Sequence, residues 1–187
     1  MRSDKPLADG RTDHDEELVA AVASARDAAA FRILVDRHAA RALRMAERIL
    51  QNRADAEDAV QEAFQRLWRD ARRFQPARGR FRSWFIRVLI NACRDRQRQL
   101  RRRPVTSLPD MTAAAAETEG VERLDRVQAV RQAIAALPER QRWAVVLTYY
   151  EGLSNREAAA AMGISVKALE ALLVRARRHL SRSLAGA

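Results

Sequence analysis

Cysteine, histidine and lysine are scarce in this 187-residue chain, which has one, three and two of them. The single Cys93 cannot form a disulfide within the chain, so we expect a reducing compartment, the cytoplasm. The histidines are His14, His38 and His179, too scattered to indicate a metal site, and a glycine-rich phosphate loop is missing. We therefore predict a protein that is not an enzyme, with no cofactor, no metal and no small-molecule substrate.

Long apolar runs are also missing from the sequence. No stretch approaches the length of a membrane span, and the polar residues 1–17 lack the apolar core of a signal peptide. Only six glycines and five prolines interrupt a chain dominated by alanine, leucine, arginine and glutamate, which are strong helix formers. The composition predicts an all-α protein.

Negative charge is nearly absent from one window of the chain. Between Arg66 and Arg103 fourteen basic residues face only Asp70 and Asp95, while the whole chain carries a net charge of +11. Half of the ten aromatic residues lie in the same window: Trp68, Phe74, Phe81, Trp84 and Phe85. Because guanidinium groups bind phosphates and rings accept unstacked bases, the window indicates a nucleic-acid surface. A solvated basic helix is the alternative, although surface helices usually mix their charges.

Apolar spacing predicts two groups of helices separated by a linker. A short helix is predicted to start at Asp15, and longer ones to span about residues 28–50, 55–74, 82–99, 121–137 and 139–150. A short helix that ends before Gly163 and a last helix after Ser165 follow them. Residues 1–14 are predicted to be disordered, and the pattern fails again at 104–120, where prolines, alanines and a glycine indicate a flexible linker. The predicted domains are therefore 15–103 and 121–187. Trp84 and Phe85 cannot share a helix face, and we expect Phe85 to be the buried one.

The C-terminal segment predicts a helix-turn-helix. Ser154 and Glu157 have the spacing of a capping box, Gly163 suits a left-handed helix end, and Ser165 suits the cap of a second helix. In such a unit the second helix enters the major groove of DNA. An ordinary αα-hairpin is the alternative interpretation of the same pattern.

Two long segments resemble one family. LPERQRWAVVLTYYEGLSNREAAAAMGISVKALEALLVRARRHL resembles the σ4 domain of bacterial sigma-70-family initiation factors. DAEDAVQEAFQRLWRDARRF, followed by GRFRSWFIRVLINACRDRQRQLRRR, resembles their σ2 domain. Two such domains with no recognisable domain between them are typical of the extracytoplasmic-function (ECF) group. The resemblance covers residues 28–103 and 121–184 and implies a factor that binds core RNA polymerase, directs it to promoters and helps to melt the minus-ten region.

The resemblance also implies which residues carry these functions. The surface that docks on the clamp helices of the polymerase β′ subunit would comprise Asp55, Glu57, Asp58, Gln61, Phe64, Leu67 and Trp68. The minus-ten element would be read and its flipped bases held by Phe74, Arg78, Arg80, Phe81, Arg82, Trp84, Arg87, Asn91 and Arg94. The minus-thirty-five element would be bound by Asn155, Arg156, Ser165, Lys167, Ala168, Glu170, Arg175 and Arg178.

The second helix of the helix-turn-helix departs from the family pattern. Many relatives have Thr-Val-Lys-Ser-Arg where this chain has Ala-Leu-Glu-Ala-Leu at 168–172. The loss of two cations and the gain of a carboxylate should change promoter preference, so no base is assigned to any residue. The resemblance further implies contacts with the polymerase β subunit and an anti-sigma factor, which in relatives is often membrane-bound, and a role in stress response.

Three other functions compete with this interpretation. A stand-alone helix-turn-helix repressor or activator would bind duplex DNA as a dimer, but would not need the second nucleic-acid unit at 66–103. An RNA-binding protein is supported only by the arginine content. Asp55, Asp58 and Glu62 could form the metal cluster of a nuclease, although a solvated helix face gives the same spacing.

Overall fold

The computed structural model describes residues 12–102 and 121–185, and every regular element in these ranges is helical, as predicted. The first domain comprises α1 (Thr12–Ala25), α2 (Ala28–Leu50), α3 (Arg53–Asp70) and α4 (Phe81–Arg102). The second comprises α5 (Val121–Ala135), α6 (Glu139–Val145), α7 (Asn155–Met162) and α8 (Val166–Ala185). We predicted disorder up to residue 14, but α1 begins at Thr12, so residues 12–14 are helical. Residues 1–11 and the predicted linker 104–120 lie outside the described residues.

Side-chain caps define the turns between the first helices. The Asp27 carboxylate accepts hydrogen bonds from the backbone N–H groups of Ala29 and Ala30, at 2.8 and 3.0 Å, and so begins α2. Gln51 adopts a left-handed conformation that ends α2, and Asn52 then caps α3 by accepting from the N–H of Asp55. The chain therefore reverses within two residues, which places α2 and α3 side by side.

The core of the first domain lies between α2, α3 and α4. Leu34, Ile49, Leu67 and Leu89 are fully buried there, and burying each such side chain stabilises the fold by about 1.5–3 kcal/mol. Cys93 lies in the same core, where burial raises the pKa of its thiol to about 12. The thiol is therefore protonated at neutral pH and acts as a small apolar side chain.

The second domain contains the predicted helix-turn-helix. Ser154 and Glu157 exchange the two hydrogen bonds of a capping box at the start of α7, as predicted. Gly163 ends α7 with a φ of 66°, a conformation that glycine adopts without strain. The Ser165 hydroxyl accepts from the N–H of Ala168 and caps α8. Before this unit, α6 continues into a π-helical segment, Val146–Tyr150.

The two domains pack against each other. Trp143 and Leu147 of the second domain are buried in the same apolar cluster as the core of the first. The Arg142 guanidinium donates to the carbonyl oxygen of Ile49 at 3.2 and 3.3 Å, which satisfies the C-terminal end of α2. A smaller apolar cluster around Ile134 and Val145 holds α5 and α6 against α8. In the described ranges, none of the helices has the length and apolarity needed to span a membrane.

Candidate functional surfaces

The segment between α3 and α4 forms a short aromatic loop. After a 3-10 turn at Ala71–Arg73 the chain extends through Phe74 and Gln75, makes a second 3-10 turn at Pro76–Arg78, and reaches α4 through Gly79. The φ of Gly79 is 137°, a value that L-residues with a side chain rarely adopt. The loop is therefore bent back toward the first turn of α4.

A pocket of about 350 Å³ lies between this loop and α4. Phe74 and Trp84 line it as half-buried rings that meet edge to face, 5.7 Å between centroids. Arg87 and Asn91 lie on the next turns of the same helix face and are exposed at the pocket. Partly exposed rings beside a cation and an amide have the chemistry to hold an unstacked base together with its phosphate.

Phe81 is not part of this surface, which corrects our prediction. Its side chain is only 1% exposed, because α4 turns Phe81 and Phe85 to the same inner face, where their rings stack 5.7 Å apart. Phe85 is buried and Trp84 is half-buried, as predicted. Phe81 therefore supports the loop from beneath and is not free to contact a base.

Two of the predicted DNA-binding arginines contact the second domain. Arg82 donates to the carbonyl oxygen of Glu151, and burial together with the nearby Arg41 lowers the pKa of Arg82. Arg94 donates to the carbonyl oxygen of Met162 at 2.9 Å. Between them, Ser83 donates to Glu157 at 2.8 Å. This side of α4 is therefore covered by α7 in the structure.

The remaining predicted minus-ten residues lie at the edges of the loop. Arg80 is exposed immediately before α4, and Arg78 ends the second 3-10 turn. Asn91 accepts a long hydrogen bond from Arg94, 3.4 Å, across one turn of the helix. Beside the loop, the pocket residues Arg87 and Asn91 and the neighbouring Arg80 are open to solvent.

A large apolar groove of about 1140 Å³ runs between α2 and α3. From α3 it is lined by four of the predicted docking residues, Phe64 and Trp68 with the exposed Glu57 and Gln61. The other wall comes from α2 and was not among the predicted docking residues: it comprises Phe31, Val35, Ala39 and Leu43. The sequence does contain an indication of this wall, since α2 has more apolar positions than a single buried stripe needs.

Three predicted docking residues are largely buried. Leu67 is fully buried, and Phe64 is only 7% exposed although it lines the groove. The Asp55 side chain accepts a hydrogen bond of 2.7 Å from Arg96 of α4 and is almost buried. Arg96 also lies 2.9 Å from the carboxylate of Asp58, which is exposed. Asp55 therefore ties α3 to α4, and the guanidinium between the two carboxylates argues against the nuclease hypothesis.

The face of the helix-turn-helix that points away from the first domain's core is exposed to solvent; we call it the outer face. All eight residues predicted to bind the minus-thirty-five element lie on it: Asn155, Arg156, Ser165, Lys167, Ala168, Glu170, Arg175 and Arg178. Two positions of the atypical segment 168–172, Leu169 and Leu172, are buried. The departures that DNA would meet are therefore Ala168, Glu170 and Ala171, while Leu172 belongs to the core.

Comparison with protein families gives two matches that together cover most of the chain. Residues 34–103 match the family model Sigma-70 region 2, and residues 127–180 match Sigma-70, region 4. The first match lies in the first domain and begins within α2, and the second lies within the second domain.

Proteins similar to this chain over most of its length are RNA polymerase sigma factors. The ECF RNA polymerase sigma factor SigM of Mycobacterium tuberculosis (strain H37Rv) is 35% identical over 170 residues, which are 91% of this chain and 84% of SigM. The ECF RNA polymerase sigma factor SigE of Mycolicibacterium smegmatis is 36% identical over 157 residues, 81% of this chain, but this chain spans only 60% of SigE. The solved structure of CnrH in complex with the cytosolic domain of CnrY is similar, with a TM-score of 0.66 and 32% identity, over 92% of this chain and 97% of CnrH.

Proposed function

The chain belongs to the extracytoplasmic-function group of the sigma-70 family of RNA polymerase sigma factors, and we propose on that basis how its surfaces act in transcription initiation. The protein binds core RNA polymerase, directs it to specific promoters and helps to open the minus-ten region. The observation that carries the proposal is that one chain holds two different surfaces whose chemistry suits nucleic acid, the aromatic pocket and the exposed helix-turn-helix. A dimeric repressor would need only the second of them.

Polymerase docks in this proposal on the α2–α3 groove. The groove offers apolar floor residues such as Phe31 and Phe64, with polar Glu57 and Gln61 at its rim. An apolar centre surrounded by polar residues is typical of protein interfaces. The clamp helices of the β′ subunit would fill the groove, with exposed Asp58 nearby on α3 adding a charged contact.

Strand opening depends in this proposal on the α3–α4 pocket. A base flipped out of the nontemplate strand would stack on Trp84 or Phe74, and Arg87 would bind its phosphate. Because stacking on an aromatic side chain contributes about 1–3 kcal/mol per base, captured bases offset the stacking lost from the duplex without any nucleotide hydrolysis.

Duplex recognition upstream is assigned to α8. Ser165 and Lys167 lie at the start of this helix, where a recognition helix reaches base edges, and Glu170 lies one turn further on. Its carboxylate accepts hydrogen bonds and so suits the amino group of cytosine. Arg175 and Arg178 on the same helix would contact phosphates.

The partners of this chain would be core polymerase through its β′ and β subunits, promoter DNA and an anti-sigma factor in the cytoplasm. CnrH, which this chain resembles, was solved with the cytosolic domain of CnrY. We extend that arrangement to this chain and expect a regulator whose cytosolic segment covers one of the surfaces above, and whose release accompanies stress.

Runoff transcription with core polymerase from the host bacterium tests the proposal. Purified chain and core are incubated with fragments of the host genome, and the transcripts are sequenced. We expect a discrete set of new start sites that share two upstream elements, with none from core alone. A repressor would instead bind duplex DNA tightly without polymerase and yield no new transcripts, which would overturn the proposal.

A further inference from the structure

α1 lies against both ends of the aromatic loop, although it precedes residue 34, where the sigma region 2 match begins. At one end of the loop, the Arg72 guanidinium donates to the carbonyl oxygen of Ala23 at 2.9 Å. At the other end, the Glu16 carboxylate accepts from the backbone N–H of Phe81 at 2.9 Å. The loop is thus held between two contacts with one helix.

The Glu16 contact supplies a cap that α4 cannot make for itself. The first N–H groups of any helix need acceptors from outside the helix. The residue before α4 is Arg80, whose side chain has donors but no acceptor. Glu16 provides the missing acceptor across 65 positions in sequence, and its negative charge also suits the positive end of the helix dipole.

A second group of α1 contacts lies beneath the same residue. The buried Asp15 carboxylate lies 2.8 Å from both Arg37 and the Nε2 atom of His38. The His38 ring packs edge to face on Phe81, 5.3 Å between centroids. Phe81 is therefore held from its backbone by Glu16 and from its ring by a histidine that α1 orients.

We propose that Glu16 is a positioning residue for promoter opening, acting by fixing the start of α4 and hence the pocket for the flipped base. The inference rests on the proposed function of that pocket. Trp84 lies less than one turn beyond Phe81, so movement of the first turn changes the distance between the Trp84 and Phe74 rings. A loose first turn would leave the rings in place on average but would reduce the fraction of molecules ready to accept a base.

The structure provides a matched control in the next residue. Glu17 is exposed, and within the described part of the chain its one ion pair is with His14 of the same helix. Glu16→Ala removes the cap and Glu16→Asp shortens the side chain that makes it. Glu16→Gln retains an oxygen that accepts the Phe81 N–H. Glu17→Ala removes a neighbouring carboxylate that makes no contact with the loop.

Two measurements on the full chain test the inference. In the free protein, hydrogen exchange at the first turn of α4 should rise for Glu16→Ala and Glu16→Asp and stay near wild type for Glu16→Gln and Glu17→Ala. In the holoenzyme, a promoter from the runoff experiment carries 2-aminopurine in its minus-ten nontemplate strand. Opening of the duplex should slow about three- to tenfold for Glu16→Ala and Glu16→Asp, as expected for loss of a helix cap. On a pre-melted template all four variants should bind alike.

The possible outcomes distinguish a failure of the Glu16 inference from a failure of the proposed function in promoter opening. Equal loss on duplex and pre-melted templates would mean that Glu16 only supports folding, and this overturns the inference. So does wild-type opening by the Ala and Asp variants, or failure of Glu16→Gln to restore opening. If wild-type holoenzyme opens no promoter, the proposed function itself is wrong and the inference falls with it.

Discussion

The arginines of the basic window have different environments. Four of them donate hydrogen bonds to acceptors on other elements: Arg72, Arg82, Arg94 and Arg96. These guanidinium groups therefore stabilise the fold and are less available to bind phosphate. Arg87 makes no hydrogen bond or ion pair with any described residue, and it lies beside the pocket. A count of positive charge therefore overstates the number of arginines that are ready to meet phosphate.

Trp84 should matter for strand opening and not for duplex docking. We expect Trp84→Ala to reduce open-complex formation on duplex promoters about tenfold, because one stacked base contributes about 1–3 kcal/mol. Pre-melted promoters should be affected much less. Potassium permanganate footprinting of both templates measures the difference, with Tyr149→Ala in the second domain as an exposed aromatic control. Equal loss on the two templates would indicate that Trp84 is only structural.

At the scale of elements, α3 has an inner and an outer acidic position. Asp55 and Asp58 share Arg96, but Asp55 is almost buried while 55% of the Asp58 side chain is exposed. The first joins two helices, and the second faces solvent on the side of α3 next to α4, in a pocket with Arg96 and Asp95. Residues three apart on one helix thus differ in how much they contribute to packing.

This difference predicts stability losses of different size for two similar substitutions. Asp55→Ala should lower the free energy of unfolding by about 1–3 kcal/mol, because it leaves the half-buried Arg96 with fewer acceptors. Asp58→Ala should cost less than about 1 kcal/mol, as for exposed ion pairs. Urea unfolding measures both. In co-purification with core polymerase, Asp58→Arg should weaken binding, and unchanged binding would remove Asp58 from the docking surface.

At the scale of the whole molecule, the packed domains cover part of the proposed DNA-binding face. Glu151 is 3% exposed and accepts from Arg41 of α2 at 2.7 Å, while its backbone carbonyl accepts from Arg82 of α4. Ser83 and Glu157 add a further contact. Burial raises the pKa of Glu157, but hydrogen bonds from Ser154 and Ser83 outweigh it, so the carboxylate titrates below its usual range and stays ionised at neutral pH.

Glu151 is therefore expected to hold the domains together. Glu151→Ala leaves two guanidinium groups without their carboxylate, which should weaken the packing of the domains by about 1–3 kcal/mol. The radius of gyration from small-angle X-ray scattering should rise for this variant. Asp36→Asn, an exposed substitution on α2, should leave it unchanged. If Glu151→Ala is as compact as wild type, the shared apolar core alone holds the domains.

Local rules explain why so much of the fold was predictable. The capping box of Ser154 and Glu157 and the left-handed Gly163 both depend on residues within a few positions of one another. Helix periodicity and capping operate at that range, and the sequence displays them directly. The pairing of a basic-aromatic unit with a helix-turn-helix was visible for the same reason.

The sequence by itself determined the helices, their caps and the family to which the chain belongs. Only the tertiary structure decided that Phe74 lines the pocket while Phe81 lies beneath it, that Asp55 faces Arg96, and that Glu16 caps α4. Each of these contacts joins residues that are far apart in sequence or chooses between two similar side chains. Burial and long-range hydrogen bonds depend on how helices pack, and residue spacing along one helix does not contain that information.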